Sequence, residues 1–220
     1  KATLEIYTKS KRSIKVTKKL VQEWLGHEKF EYGTKEKKNQ VGVVTGLAYT
    51  AFGGDILQIE VNYFEGKGKL IITGQLGDVM KESAEIALDY VKSNAKKFGI
   101  DVKFFETHDI HIHVPEGAVP KDGPSAGVTL TTAFVSALTN KAVDANCAMT
   151  GEVTLRGNVL PIGGLREKSI AANRSGITKV FIPKGNVKDI DELPDIVKEN
   201  ITFMPVDKVD TILKEAIIHD

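Results

Sequence analysis

Val119-Pro-Lys-Asp-Gly-Pro-Ser-Ala-Gly-Val128 passes from loop to helix within a few residues. Pro115, Pro120 and Pro124 keep the approach to Ser125 out of regular structure. Pro124 suits the first position of a helix, where its missing N–H forfeits no bond. The spacing predicts a helix from Pro124 to about Thr139. Ser125 then lies in the first turn, where backbone N–H groups lack helical partners and the helix dipole is positive. A hydroxyl held there sits beside donors able to stabilise an oxyanion, and Ala126 and Gly127 leave room for a substrate carbonyl. The plainer reading is an ordinary helix start with a capping serine.

Gly123-Pro-Ser-Ala-Gly127 also matches G-x-S-x-G, the nucleophile elbow. That elbow needs a strand running straight into the serine, with an Asp and then a His downstream. The segment before Ser125 is loop-like, and the one later histidine, His219, is the penultimate residue. A serine without a histidine needs another base. A lysine serves if burial lowers its pKa, because the neutral amine must accept the proton. On a helix from Leu165 to Ser175, Lys168 falls inside the apolar arc of Leu165, Ala171 and Ala172, opposite Arg166, Glu167, Asn173 and Arg174. A buried charge is costly unless neutralised or paired; the alternative is a lysine whose stem packs and whose head reaches water.

Outward from this pair, the alternation is that of an α+β chain, with mixed sheets and packed helices. Val41–Thr50 and Asp55–Phe64 are predicted strands joined at Gly53-Gly54. Gly66-Lys-Gly68 leads into a strand at Lys69–Thr73. A helix is predicted from Asp78 to Phe98, with Val79, Ile86, Ala87, Tyr90 and Val91 on its apolar side and Gly99 closing it. Asp109–Val114 alternates like a strand, and Glu152–Leu160 reads as a hairpin turning at Gly157-Asn158. Thr178–Ile182 and Ile201–Met204 are short strands, each followed by a helix. A helix is also predicted near Thr17–Leu25, ended by Gly26. The polar run Gly33–Gln40 reads as a linker, so residues 1–40 and 41–220 are expected to be separate parts.

The chain of 220 residues is 41% apolar and 27% charged, which excludes disordered and low-complexity architectures. No apolar run approaches the ~18–20 residues a bilayer requires. The net charge of +1 hides an asymmetry. Residues 1–40 hold 11 Lys and Arg against 5 Asp and Glu, and the remainder 19 against 24. With Tyr7, Trp24, Phe30 and Tyr32 as its aromatics, the basic segment reads as a solvated connector rather than a nucleic-acid surface. Cys147, the single cysteine, cannot form an internal disulfide, and its apolar neighbours Ala145–Met149 predict burial. His108, His111 and His113 form an H-x-x-H-x-H cluster without the further ligand a metal site needs. Packing or hydrogen bonding beneath the serine's loop is expected instead.

Asp122-Gly-Pro-Ser-Ala-Gly-Val-Thr-Leu130 resembles the serine signature of the Lon protease family. Thr150-Gly-Glu-Val-Thr-Leu-Arg-Gly-Asn-Val-Leu-Pro-Ile-Gly-Gly-Leu-Arg-Glu-Lys168 resembles its lysine signature. With Val41-Gly-Val-Val-Thr-Gly-Leu-Ala48, the resemblance runs from Val41 to the C-terminus in the family's order. It implies the Lon-type proteolytic fold and a Ser–Lys dyad cutting peptide bonds, with Ser125 as nucleophile and Lys168 as general base. Thr150 matches a threonine that orients the lysine, and Asp122 a loop acid whose position reports an open or closed site. The form Pro120-Lys-Asp-Gly-Pro124 resembles the bacterial and mitochondrial branch, so bacterial cytoplasm, or else the mitochondrial matrix, is the implied location. The resemblance further implies unfolded or tagged protein substrates, a hexameric ring, and dependence on ATP and Mg²⁺. A G-x-x-x-x-G-K-[ST] phosphate loop does not occur here, so the nucleotide module is expected outside this chain, with its end in residues 1–40. No metal, nucleic acid or membrane is expected for the proteolytic part. Lon-like domains that only assemble rings are the alternative; such a scaffold has no need of Ser125 and Lys168 together.

Overall fold

The computed structural model describes residues 1–9, 12–26, 38–50, 53–115 and 120–218. They fall into two compact units, Lys1–Tyr32 and Gly33–Asp220. In the first, α1 (Ala2–Thr8) and α2 (Lys18–Leu25) are short and contain no buried residue. The Thr17 hydroxyl accepts from Leu20 N at 3.3 Å and Gly26 takes φ +84°, so α2 begins and ends where its capping residues dictate. Trp24 Nε1 donates to Glu5 Oε1 at 3.3 Å, and the Lys1 ammonium donates to the Trp24 carbonyl. The sequence reading did not anticipate α1, whose Leu4 and Tyr7 are exposed and form no packed stripe. Phe30, Tyr32, residues 33–37 of the expected linker, and His219 lie outside the described residues.

The second unit follows the order β1 (Gln40–Val41), β2 (Val43–Thr50), β3 (Gly53–Glu65), β4 (Leu70–Thr73), α3 (Asp78–Ser93), α4 (Ala95–Phe98), α5 (Phe104–Thr107), β5 (His108–His113), α6 (Gly127–Thr139), β6 (Ala142–Val143), β7 (Cys147–Met149), β8 (Glu152–Val153), β9 (Val159–Leu160), α7 (Leu165–Arg174), β10 (Lys179–Pro183), α8 (Asp195–Asn200), β11 (Thr202–Val206) and α9 (Val209–Ala216). Seven strands form one mixed sheet in the order β11-β10-β7-β2-β3-β5-β4. β2 and β3 pair antiparallel, as do β3 and β5, whereas β11-β10-β7-β2 and β5-β4 run parallel. This is the expected α+β class.

Helices cover the sheet on two sides. Met80, Ala84, Ala87 and Val91 of α3, with Leu130 and Phe134 of α6, meet Val44, Ile59 and Ile112 in the larger core. Leu165 and Ala172 of α7 meet Leu47, Ile56, Ala148 and Val180 in the smaller one. Every residue of α6 from Gly127 to Ala137 is buried, so its hydroxyls turn inward: Thr131 and Thr132 donate to the carbonyls of Gly127 and Val128 at 2.9 and 2.8 Å.

Several expected elements are modified. The strand expected over Val41–Thr50 breaks at Gly42 (φ +72°), where a β-carbon would collide with the Val61 carbonyl. The helix expected to reach Phe98 is interrupted at Asn94, where the Ser93 hydroxyl and Asn94 amide both donate to the Tyr90 carbonyl at 2.9 Å, and resumes as α4, which Gly99 closes. Val79, expected on that helix's apolar side, is 45% exposed; the buried stripe runs instead through Met80, Ser83, Ala84, Ala87, Leu88 and Val91. The helix expected from Pro124 opens as a 3₁₀ turn, Pro124–Ala126, before α6. β7 is a fully buried central strand of three residues, too short to show a period.

Candidate active site

The elements around Ser125 are pinned by backbone bonds. Its carbonyl accepts from Gly151 N at 2.8 Å, and the Pro124 carbonyl accepts from Gly127 N and, at 3.4 Å, from the Ser83 hydroxyl of α3. A β-carbon on Gly127 would lie 2.7 Å from Val153 N, so the start of α6 has room for glycine alone. The 3₁₀ geometry commits the Gly127 N–H, one of the donors the sequence reading placed at the helix start.

Asp122 caps a different helix. The N-cap residue of α3 is Gly77, which has no side chain to accept the first N–H groups. The Asp122 Oδ1 accepts from Met80 N and from Gly123 N, both at 2.9 Å. Gly77 N donates to Lys121 O at 2.7 Å, and a β-carbon at Gly77 would collide with the Asp122 carboxyl. The loop leading to Ser125 is thereby fastened across α3.

Thr150 follows the C-terminal end of β7, and its N–H donates to Phe181 O of β10 at 3.1 Å. Lys168 stands in the first turn of α7, whose cap Gly164 adopts φ +69°. Lys168 is 3% exposed, among buried Leu165, Ala171 and Ala172, as the helical wheel requires. Its Nζ donates to Ser125 Oγ and to Thr150 Oγ1, each at 3.0 Å. The Thr150 hydroxyl also reaches Ser125 O at 3.5 Å. Burial lowers the Lys168 pKa from 10.5 to about 8. The ammonium therefore releases its proton near pH 8, more than two units below a free lysine, while within reach of a serine hydroxyl.

Ser125 and Lys168 open into a cleft of about 460 Å³, with Leu47, Tyr49, Leu57, Met80 and Ile162 among its walls. One wall is the outer edge of β2. β7 pairs with β2 at Gly46–Met149 and then turns away toward Thr150. From Leu47 onward that edge faces the cleft.

His108 stands apart from His111 and His113. His108 stacks on Phe104 at 4.1 Å between ring centroids. His111 Nε2 and His113 Nδ1 share the Thr73 hydroxyl at 2.9 and 2.8 Å, beside a second depression lined by Glu60 and Asn62. They hydrogen-bond as expected, but on a part of the sheet separate from the Ser125 cleft. Cys147 is buried, its Sγ donates to Asp144 O at 3.1 Å, and burial pushes its thiol up to about 12. The role of Gly54 was missed: read as a plain turn residue, it lies against the backbone of Glu167 and Lys168, where a β-carbon would collide with the Glu167 carbonyl. A glycine on the strand side of a turn is the signal that could have found it.

A family model described as the Lon protease (S16) C-terminal proteolytic domain matches residues 15–219. This chain belongs to that family. Lon protease 1 of Bacillus subtilis (strain 168) is 55% identical over 218 residues, which is 99% of this chain and 28% of that protein. The Lon protease of Mycoplasma mycoides is 61% identical over 197 residues, 90% of this chain and 25% of that protein. Lon protease 1 of Myxococcus xanthus is 53% identical over 218 residues, 99% and 27% respectively. The Lon proteolytic domain described here thus spans about a quarter of the length of the curated relatives it matches.

Proposed function

We propose that this Lon proteolytic domain is a serine endopeptidase in which Ser125 is the nucleophile and Lys168 the general base. The observation that carries the reading is a lysine, 3% exposed, whose Nζ lies 3.0 Å from a serine hydroxyl and whose pKa is lowered to about 8. In the neutral state the Ser125 hydroxyl donates to the amine's lone pair. As Oγ attacks the substrate carbonyl carbon, its proton passes to Lys168. The backbone N–H groups of Ser125 and Ala126, which follow Pro124 in the 3₁₀ turn, hold the oxyanion. The Lys168 ammonium then gives its proton to the departing amine, leaving an acyl-enzyme ester. Lys168 next takes a proton from water as the water oxygen attacks the ester carbonyl, and returns it to Ser125 Oγ when the C–Oγ bond breaks, which frees the acid product and restores the neutral amine. Thr150 keeps Nζ directed at Ser125, and Asp122 holds the loop in place.

The open β2 edge at Leu47–Tyr49 favours an extended polypeptide, which adds its own backbone bonds there. Unfolded or tagged proteins fit that requirement. ATP and Mg²⁺ serve a nucleotide module outside this chain, and no step of the peptide cleavage uses them. We further infer work in a homo-oligomeric, hexameric ring in a bacterial cytoplasm, with no nucleic acid or membrane bound by this domain. The test is hydrolysis of an unstructured fluorogenic peptide without ATP by the parent, Ser125→Ala and Lys168→Ala. The parent should cut with a rate rising through pH about 8, and both variants should be inactive. Variants that cut as well as the parent would overturn the dyad.

A further inference from the structure

We infer that Arg174 is a positioning residue for substrate: it clasps the β2–β3 hairpin, the wall of the cleft, onto the helix that carries Lys168. The inference rests on the Ser–Lys reading above. Beyond Gly46 the hairpin has left β7, and it continues through the pairs Leu47–Ile56, Ala48–Asp55, Tyr49–Gly54 and Thr50–Gly53. Two-stranded segments are marginal by themselves, so the geometry of this wall depends on what it lies on. Among the described residues it meets α7 through Glu167, Lys168 and Arg174 of the helix and through its cap, Gly164. At the helix start, Gly164 packs against the Tyr49 ring, 2.9 Å from where a β-carbon would stand. Within the first turn, Gly54 rests on the backbone of Glu167 and Lys168. At the end, Arg174 Nη2 donates to the Gly54 carbonyl at 3.1 Å and stands 3.7 Å from Asp55 Oδ1.

The geometry of α7 explains the reach. Glu167 and Arg174 are seven residues apart and share a face, and a helical side chain leans toward the N-terminus. Arg174 therefore folds back along α7 to the strand lying over Glu167. Asp55 Oδ1 also accepts from Ile56 N at 2.9 Å, so the guanidinium, the carboxylate and the strand backbone form one connected set. Tyr49, Asp55, Ile56 and Leu57 all line the cleft. Of the three contacts, the two glycines set how near the hairpin can lie, and the guanidinium supplies the directed attraction. Arg174 touches neither Ser125 nor the Lys168 Nζ, so its effect belongs to substrate binding rather than to proton transfer.

The test separates binding from chemistry. A fluorescein-labelled unstructured peptide is titrated into Ser125→Ala and into Ser125→Ala with Arg174→Gln, and binding is read by anisotropy. The second protein should bind about fivefold more weakly, the scale of one partly exposed charge-assisted hydrogen bond. Arg174→Lys, which keeps the charge beside Asp55, should recover part of the loss. In the otherwise unmodified chain, Arg174→Gln should raise KM by the same factor and leave kcat and the pH midpoint in place. Equal affinities with only a lowered Tm would overturn the inference and leave a structural contact. A shifted pH midpoint would also overturn it, by making Arg174 act on Lys168. Because anisotropy needs no turnover, failure of the Ser–Lys reading would appear in the hydrolysis assay alone.

Discussion

Lys168 should make this protein more stable as the pH rises from 7 to 10, against the usual trend for lysine-rich chains. The ammonium has a pKa of 10.5 when exposed and about 8 in the fold. Below pH 8 it is protonated in both states, and folding bears the full cost of burying it. Between about 8 and 10.5 the unfolded chain binds the extra proton, so stability rises with pH across that window. At ~1.36 kcal/mol per pKa unit, the whole span is worth about 3 kcal/mol, most of it gained between pH 7 and 10. The comparison partner is Lys168→Met, which fills a similar volume and cannot titrate; subtracting its stability cancels the contributions of the other lysines and tyrosines. Urea unfolding of both proteins at pH 7, 8, 9 and 10 gives the difference directly, provided the slopes agree. The parent should gain about 2 to 3 kcal/mol on the variant over that range. A difference flat to within about 0.5 kcal/mol, or one that falls, would refute the claim that burial depresses Lys168, and with it the account of the base.

Three further outcomes follow from the contacts. Thr150→Val removes one of the two hydroxyls that direct the Lys168 Nζ, and should lower kcat about ten- to a hundredfold with KM little changed, while Thr150→Ser should retain most activity; steady-state kinetics decide. Asp122→Ala uncaps α3 at Met80 N and should cost about 1 kcal/mol, read as a Tm lowered by roughly 2–4 °C; an unchanged Tm would deny the cap. Cys147, buried with its thiol pushed up to about 12, should resist Ellman's reagent at pH 8 until the protein is denatured, and prompt labelling of the native chain would contradict its burial.

The strands and helices that the sequence announced best were those with a period or a punctuating residue. Thr17 and Gly26 bracket α2, while Gly53-Gly54, read as the joint between two strands, are the first residues of β3 and pair with Thr50 and Tyr49. Elements lacking such marks went unread. β7 is three buried residues, and α5 is a single turn whose aromatic side chains pack on one another. Val79 was assigned to the apolar side because it fits the spacing, yet the buried stripe is set by where α6 and the sheet lie, and that begins at Met80. Glycines were the most misleading letters. Gly54 read as turn punctuation and Gly77 as nothing in particular, whereas each marks a close approach by a distant segment, Glu167 for one and Asp122 for the other.

Ser125 stood out in the sequence by its place at a helix start and Lys168 by its place on an apolar arc, whereas Thr150 and Asp122 were marked only by the resemblance to the Lon family's motifs. The lysine on an apolar arc was itself a sign of burial, since the helical period depends on local order alone. What the chain could not disclose by itself was the distance between them. Ser125 and Lys168 are 43 residues apart, and their 3.0 Å separation arises because β7, held between β2 and β10, delivers Thr150 to the spot where the 3₁₀ turn and α7 meet. The depressed pKa has the same origin: desolvation is a property of everything packed around Nζ, and no local pattern encodes it. Local sequence thus determined which groups could react, and tertiary packing alone decided that they touch, how far burial depresses the lysine, and that the β2 edge beyond Gly46 lines the same cleft.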